Sequence, residues 1–295
     1  MDSEIEKEIN RIVLSCRHPV NEILAGEYHS VFKGRGLDFN ELREYQFGDD
    51  VRLIDWNVTA RTGRPHIKCY IEERELSVYL MVDFSASTLY STVEKSKRRA
   101  ASELCALLSF SANKNNDKVS LIIFTDKVEL YIPPGKGRMH IMNIIEKLLT
   151  FEPDHKGTNI SSALDFLAKI TRKHSVAFLI SDFMTDDFRE QLAYTALEHD
   201  LTAISVADKS ESAFPPAGLL KVKDSETGET VIIDSDRKNC PEYRETALKR
   251  RIRLNTLFQE HKVDLIEIDT AEDYVRELVN FFRRRERRVA DETGG

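Results

Sequence analysis

Cysteine is scarce in this chain: four residues in 295, at Cys16, Cys69, Cys105 and Cys240. None forms a CxxC pair and none lies near a His at zinc-ligand spacing, so they read as free thiols in a reducing cytosol. Long apolar runs are also missing. No stretch reaches the roughly eighteen residues that a membrane-spanning helix needs. A surplus of positive charge is missing as well. Lys and Arg total 43 against 50 Asp and Glu, for a net charge of -7. That excludes a protein that simply coats nucleic acid, because phosphate binding needs a basic face. The start, MDSEIEKEINRIV, has neither a basic n-region nor an apolar h-region and is not expected to be a signal peptide. No internal repeat and no low-complexity tract occurs. What remains is 41% hydrophobic and 32% charged, a soluble, globular balance with the length for one large domain or two ordinary ones.

Periodicity supplies the fold class. Residues 3–15 read as a helix, with Ser3 and Glu6 as a capping box and Ile5, Ile9, Ile12 and Val13 as one stripe. From Tyr28 to Arg74 the charges are dense and the apolar residues come singly, which predicts short strands and ordered turns. After Glu75 the pattern becomes regular. VYLMVD (78–83), VSLIIF (119–124), SVAFLIS (175–181), LTAISVA (201–207) and VDLIEID (263–269) are continuous apolar runs, as buried parallel strands require. KVELYIPP (127–134) alternates and ends in prolines, the pattern of an antiparallel edge strand. Helices are predicted at about 92–114, 139–150, 159–172, 186–199, 242–261 and 271–288. LLKVKD (219–224) and TVIIDS (230–235) flank SETGE as a β-hairpin. The expected fold is α/β: a mostly parallel sheet flanked by helices, with right-handed crossovers. Residues 1–75 form an irregular β-rich portion packed on the core. Residues 76–289 form the main domain, with the hairpin inserted at about 215–238, and 290–295 form a disordered tail.

In an open α/β sheet, ligands bind at the carboxyl ends of the strands. The first core strand ends in Asp83-Phe84-Ser85-Ala86-Ser87, which sets one carboxylate and two hydroxyls there. Thr158, in Gly157-Thr158-Asn159 before a helix, adds a third hydroxyl. The third buried strand ends in Ser181-Asp182-Phe183 and adds a second carboxylate. These are hard oxygen donors of the kind Mg²⁺ prefers.

A DxSxS turn with a distal Thr and a distal Asp resembles the metal-ion-dependent adhesion site of von Willebrand factor A-type domains, over roughly 76–289. The resemblance implies that Ser85, Ser87 and Thr158 would coordinate Mg²⁺ (or Mn²⁺). Asp83 and Asp182 would act largely through water, and one position would stay open for a partner's carboxylate. The sequence departs from that family at Phe183, where Gly is usual. The blocks Gly34–Phe39, Glu41–Tyr45, Gly48–Trp56, Thr59–Arg61 and Glu72–Glu75 resemble the signature of the DUF58 family, bacterial and archaeal proteins often encoded beside MoxR-type AAA+ ATPases. The family resemblance implies a non-enzymatic, cytoplasmic adaptor or co-chaperone of such an ATPase, with no membrane span.

Simpler roles stand beside these. Ser85 and Ser87 could cap the next helix. Arg43, Arg52, Arg61 and Arg74 among Glu41, Asp50, Asp55 and Glu72 form a salt-bridge lattice or, alternatively, a docking face with Trp56 and Arg61 as anchors. The run Arg283–Arg288 reads as a solvated helix end that complements the dipole. His155, near Thr158, reads as a surface loop residue. No catalytic motif is found: there is no GxSxG and no HExxH, and position 85 is Ser where a phosphatase nucleophile motif needs Asp. No Lys or Arg stands out beside Asp83 as a phosphate clamp. A Mg²⁺-dependent phosphohydrolase and a passive scaffold remain the alternatives.

Overall fold

The computed structural model describes residues 3–20, 41–46, 54, 56–69, 76–92, 95–185, 188–208, 211, 218–223, 230–234 and 239–293. Its centre is a six-stranded sheet in the order β10-β7-β6-β3-β4-β5. The strands are β3 (Ser77–Asp83), β4 (Lys118–Phe124), β5 (Val128–Gly135), β6 (Val176–Ser181), β7 (Asp200–Ala207) and β10 (Asp264–Asp269). All pair in parallel except β5, which runs antiparallel to β4 at one edge. Its prolines stand where no further strand asks for their missing N–H. The predicted strands are therefore present, in the predicted orientations.

Buried side chains alternate across the sheet because successive residues of a strand face opposite ways. Val78, Leu80 and Val82 of β3 pack on one side with α1 (Ser3–Pro19), α3 (Lys97–Lys114), α4 (Arg138–Thr150) and α8 (Tyr274–Thr293). Tyr79 and Met81 pack on the other with α5 (Ile160–Ile170), α6 (Arg189–Glu198) and α7 (Asn239–Glu260). Each fully buried aliphatic chain contributes about 1.5–3 kcal/mol. Helix α1 runs to Pro19 rather than to residue 15, and buries Ile9, Ile12 and Cys16 on the core.

Two small antiparallel sheets complete the described structure. One pairs β1 (Glu41–Glu44) with β2 (His66–Cys69) around the short helix α2 (Trp56–Thr62); the other pairs β8 (Leu219–Lys223) with β9 (Thr230–Asp234), the predicted hairpin. Its SETGE turn lies outside the described residues, as do Asp50, Arg52, Asp55, Glu72 and Arg74 of the predicted lattice and the block Gly34–Phe39. In the same part of the chain, an exposed pair joins Arg64 to Glu44 at 2.9 Å.

Two further helix boundaries differ clearly from the sequence pattern. The helix expected from residue 92 starts at Lys97, because the Ser96 hydroxyl accepts from the Arg99 N–H and caps it there. Before it, residues 86–89 form a 3-10 turn. Thr92 is tied through its N–H and hydroxyl to Asp208 at 2.7 and 2.5 Å, which keeps that segment out of the helix. The last helix continues to Thr293, through residues assigned from sequence to a disordered tail.

The arginine run is not simply a solvated helix end. Arg285 holds both carboxylate oxygens of Asp200 at 2.5 Å and lies 3.4 Å from Asp264, while Arg288 reaches Asp264 at 2.7 Å. These residues pin α8 to the first residues of β7 and β10. The Arg285 side chain is only 13% exposed, so its pair is screened little. Arg285→Ala is expected to lower stability by about 2 kcal/mol in urea unfolding. A loss below about 0.5 kcal/mol would assign the docking of α8 to Leu278, Phe281 and Phe282 alone.

Candidate metal centre

The carboxyl ends of β3 and β6 lie side by side, with Val82 opposite Ile180. The chain turns sharply at both ends. Asp83 is 1% exposed. Its Oδ1 accepts from the Ser85 N–H at 2.8 Å and its Oδ2 from the Ser181 hydroxyl at 2.6 Å. Asp83 therefore folds its own turn and clamps the neighbouring one. The Ser85 and Ser87 hydroxyl oxygens stand 3.0 Å apart, and Ser87 donates to Asp182 Oδ2 at 2.8 Å. Ser85 is buried, Ser87 half-buried, and Leu89 and Tyr90 beyond it are exposed.

The third loop is joined through its backbone. Ala86 N–H donates to the Lys156 carbonyl at 2.9 Å, and the Thr185 hydroxyl to the Thr158 carbonyl at 3.0 Å. Asp83, Ser85, Ser87 and Asp182 are thus linked directly, with the Thr158 loop held against them. His155 stays peripheral, 3.1 Å from Asp126 and partly exposed.

Two contributors escaped the sequence. Lys97, 2% exposed, donates to Asp182 Oδ2 at 2.6 Å and to Glu211 Oε1 at 2.5 Å. Arg98 donates to the Phe84 and Ser85 carbonyls at 2.6 and 3.1 Å, with its guanidinium 4.7 Å from the Phe84 ring. Neither touches the Asp83 carboxylate: Lys97 meets the acids of two other segments, and Arg98 meets the backbone of the Asp83 turn. Their signal depends on the cap at Ser96: with the helix starting at Lys97, Lys97-Arg98-Arg99 fills its first turn, where the macrodipole disfavours cations. Such residues must be drawn elsewhere. Arg99 reaches Glu103 at 2.9 Å and also pairs with Glu8 of α1.

Electrostatics follow from burial. Burial, and then the nearby Asp182 charge, push the Asp83 carboxyl up to about 6. For Lys97, burial pulls the ammonium down, and Asp182 and Glu211 more than reverse it, so it is raised. Burial raises Glu211, against the pull of Lys97. Burial lowers Arg98.

Phe183 shows how the departure from Gly is accommodated. It has φ +54°, the left-handed region that favours glycine, at a cost on the order of 1–2 kcal/mol. The turn is kept because its ring is buried against Phe258 and Phe188, with centroids at 5.3 and 6.0 Å, and its N–H donates to the Ser181 hydroxyl.

The donor set suits a hard divalent ion in type: two hydroxyls and a carboxylate joined in a line by hydrogen bonds, backed by a second carboxylate. It does not suit zinc. No three His, Cys, Asp or Glu side chains gather as a metal cluster among the described residues. Trp56 and Arg61 lie elsewhere, both exposed on α2, which is tied to β2 by the Thr59–His66 hydrogen bond.

The family profile described as protein of unknown function DUF58 matches residues 41–253. This chain belongs to the DUF58 family. An uncharacterized protein of Mycobacterium bovis and one of Mycobacterium tuberculosis are each 27% identical to it over 289 residues, 97% of this chain and 91% of theirs. Among solved structures, the conserved hypothetical protein BatB from Bacteroides thetaiotaomicron is similar at 15% identity and TM-score 0.48. An aerotolerance-related membrane protein from Bacteroides fragilis is similar at 16% identity and TM-score 0.49. Each similarity covers 72% of this chain and 99% of the other. No described helix of the present chain is long and apolar enough to cross a membrane.

Two outcomes are expected here. Because Asp83 is raised in the folded state, its contribution to stability is fully present below 3.8 and is lost as pH rises through about 6. In EDTA, urea unfolding of the wild type should therefore carry a downward component across that window that Asp83→Asn lacks; identical pH profiles would contradict it. Phe183→Ala should lower stability by about 3–5 kcal/mol, since the aromatic slot empties while the left-handed strain stays.

Proposed function

We propose that this DUF58 chain is a non-enzymatic protein-interaction module that takes a partner's Asp or Glu side chain at the Asp83–Ser85–Ser87–Asp182 edge through Mg²⁺ or Mn²⁺. The observation that carries it is the continuous line from Ser85 through Ser87 to Asp182, half-open to solvent at Ser87. When bound, the ion supplies a positive centre with an exchangeable position. The chain's own residues do the rest. Asp83 fixes both turns, Ser85 and Ser87 present oxygens, and Asp182 orients the Ser87 hydroxyl. Exposed Leu89 and Tyr90 offer an apolar margin for a docking surface.

A non-enzymatic role has physical support. Both Asp83 oxygens accept hydrogen bonds from the chain itself, so the residue is a poor nucleophile. Lys97 is committed to two carboxylates and not to a phosphate. On the family resemblance, the partner is a MoxR-type AAA+ ATPase met in the cytoplasm, with this chain as adaptor or co-chaperone.

Binding of the ATPase encoded by the same genome should be measured with Mg²⁺ and with EDTA. Affinity is expected to fall roughly tenfold or more in EDTA and in Asp83→Ala or Ser87→Ala. Unchanged affinity in all three would end the metal-bridged reading. Loss of binding confined to Trp56→Ala or Arg61→Ala would move the interface to α2. Turnover of p-nitrophenyl phosphate that disappears in Ser85→Ala would make the chain an enzyme.

A further inference from the structure

Lys97 lies at the same oxygen that the proposed ion site needs. Its ammonium and the Ser87 hydroxyl share Asp182 Oδ2, at 2.6 and 2.8 Å. Its second partner, Glu211, lies outside the expected five-residue oxygen set yet is held for the purpose. The Asp208 N–H donates to Glu211 Oε2 at 3.3 Å, the Glu211 N–H donates to the Asp208 carbonyl at 2.9 Å, and Asp208 is anchored by Thr92. Lys97 is the first residue of α3, where the helix dipole disfavours a cation, and among the described residues it is Asp182 and Glu211 that hold its ammonium.

A divalent ion on Ser85 and Ser87 would stand within a few ångströms of this ammonium in a buried setting, where like charges are weakly screened. We infer that Lys97 is the resident cation of the site: it supplies from within the chain the positive charge that a divalent ion would otherwise bring, and such an ion binds only against it. Asp182 and Glu211 then hold their places without metal, and Lys97 sets how much metal is needed before a partner can be bridged. This rests on the metal-bridged reading for its consequence but not for its test.

The test uses the full chain and Mn²⁺ alone as probe. Manganese affinity is measured by calorimetry and electron paramagnetic resonance, and the melting temperature is followed in EDTA and in Mn²⁺, for wild type, Lys97→Met and Lys97→Arg. Lys97→Met should bind Mn²⁺ roughly tenfold or more tightly than wild type and gain more in melting temperature from it, while Lys97→Arg follows wild type. Equal or weaker Mn²⁺ binding by Lys97→Met overturns the inference. If Lys97→Met cannot be purified folded in EDTA, refolding with and without Mn²⁺ replaces the melts; recovery only with Mn²⁺ supports the inference, and recovery in neither condition overturns it.

The outcomes separate the two readings. Tight Mn²⁺ binding by wild type that Lys97→Met does not improve overturns the Lys97 role and leaves the metal bridge standing. Binding by Lys97→Met alone supports the Lys97 role and removes the metal bridge from the wild type. Binding by neither ends both.

Discussion

A buried ammonium between two carboxylates is the constraint on which this edge of the molecule depends. Lys97 is 2% exposed, and removing one partner of a buried ion pair costs about 3–5 kcal/mol, a large share of the margin by which a domain is stable. Lys97 therefore needs Asp182 and Glu211 in place, and each of those leaves carboxylate charge uncompensated without it. The three residues come from the start of α3, the end of β6 and the segment after β7. One cation thus ties together three crossovers that a parallel sheet would otherwise join only through its strands. The Thr92–Asp208 contact extends the tie to the segment before α3.

Asp83 acts differently. Among the described residues no cation pairs with its oxygens; it accepts the Ser85 N–H and the Ser181 hydroxyl and is raised by burial. Its work is geometric. It bends the chain after β3 so that Ser85 and Ser87 look the same way, and it fixes Ser181, whose oxygen in turn accepts the Phe183 N–H. The two acids of the site thus divide the labour. Asp83 builds the turns, and Asp182 faces the cation and the hydroxyl.

The strands were legible because parallel strands buried on both faces must be continuously apolar, and each of the five runs had that form. The gathering of Asp83, Ser85, Ser87 and Asp182 at one edge was legible because strand ends are where residues of different α/β loops converge. Lys97 was not legible by the same logic. A lysine in a charged stretch at the start of a helix resembles surface, and nothing local shows that Asp182, 85 residues away, will bury it. Glu211 was harder still, since its position comes from hydrogen bonds with Asp208 and not from any periodicity. The arginine run misled for a related reason. Arg285 looked like a helix end, but its partners Asp200 and Asp264 stand at the starts of two strands and meet it only in the fold.

Phe183 shows why a departure from a motif does not by itself remove a site. A left-handed residue with a side chain costs on the order of 1–2 kcal/mol relative to glycine, whereas a fully buried aromatic ring contributes more than that. The ring of Phe183 meets Phe188 and Phe258 beneath the sheet, so the strain is offset within the same residue. The turn after β6 can then hold Asp182 toward Ser87 and Lys97 with a rigid apolar base under it. Glycine would reach the same φ without strain but without that base, and the direction of the Asp182 carboxylate would rest on hydrogen bonds alone.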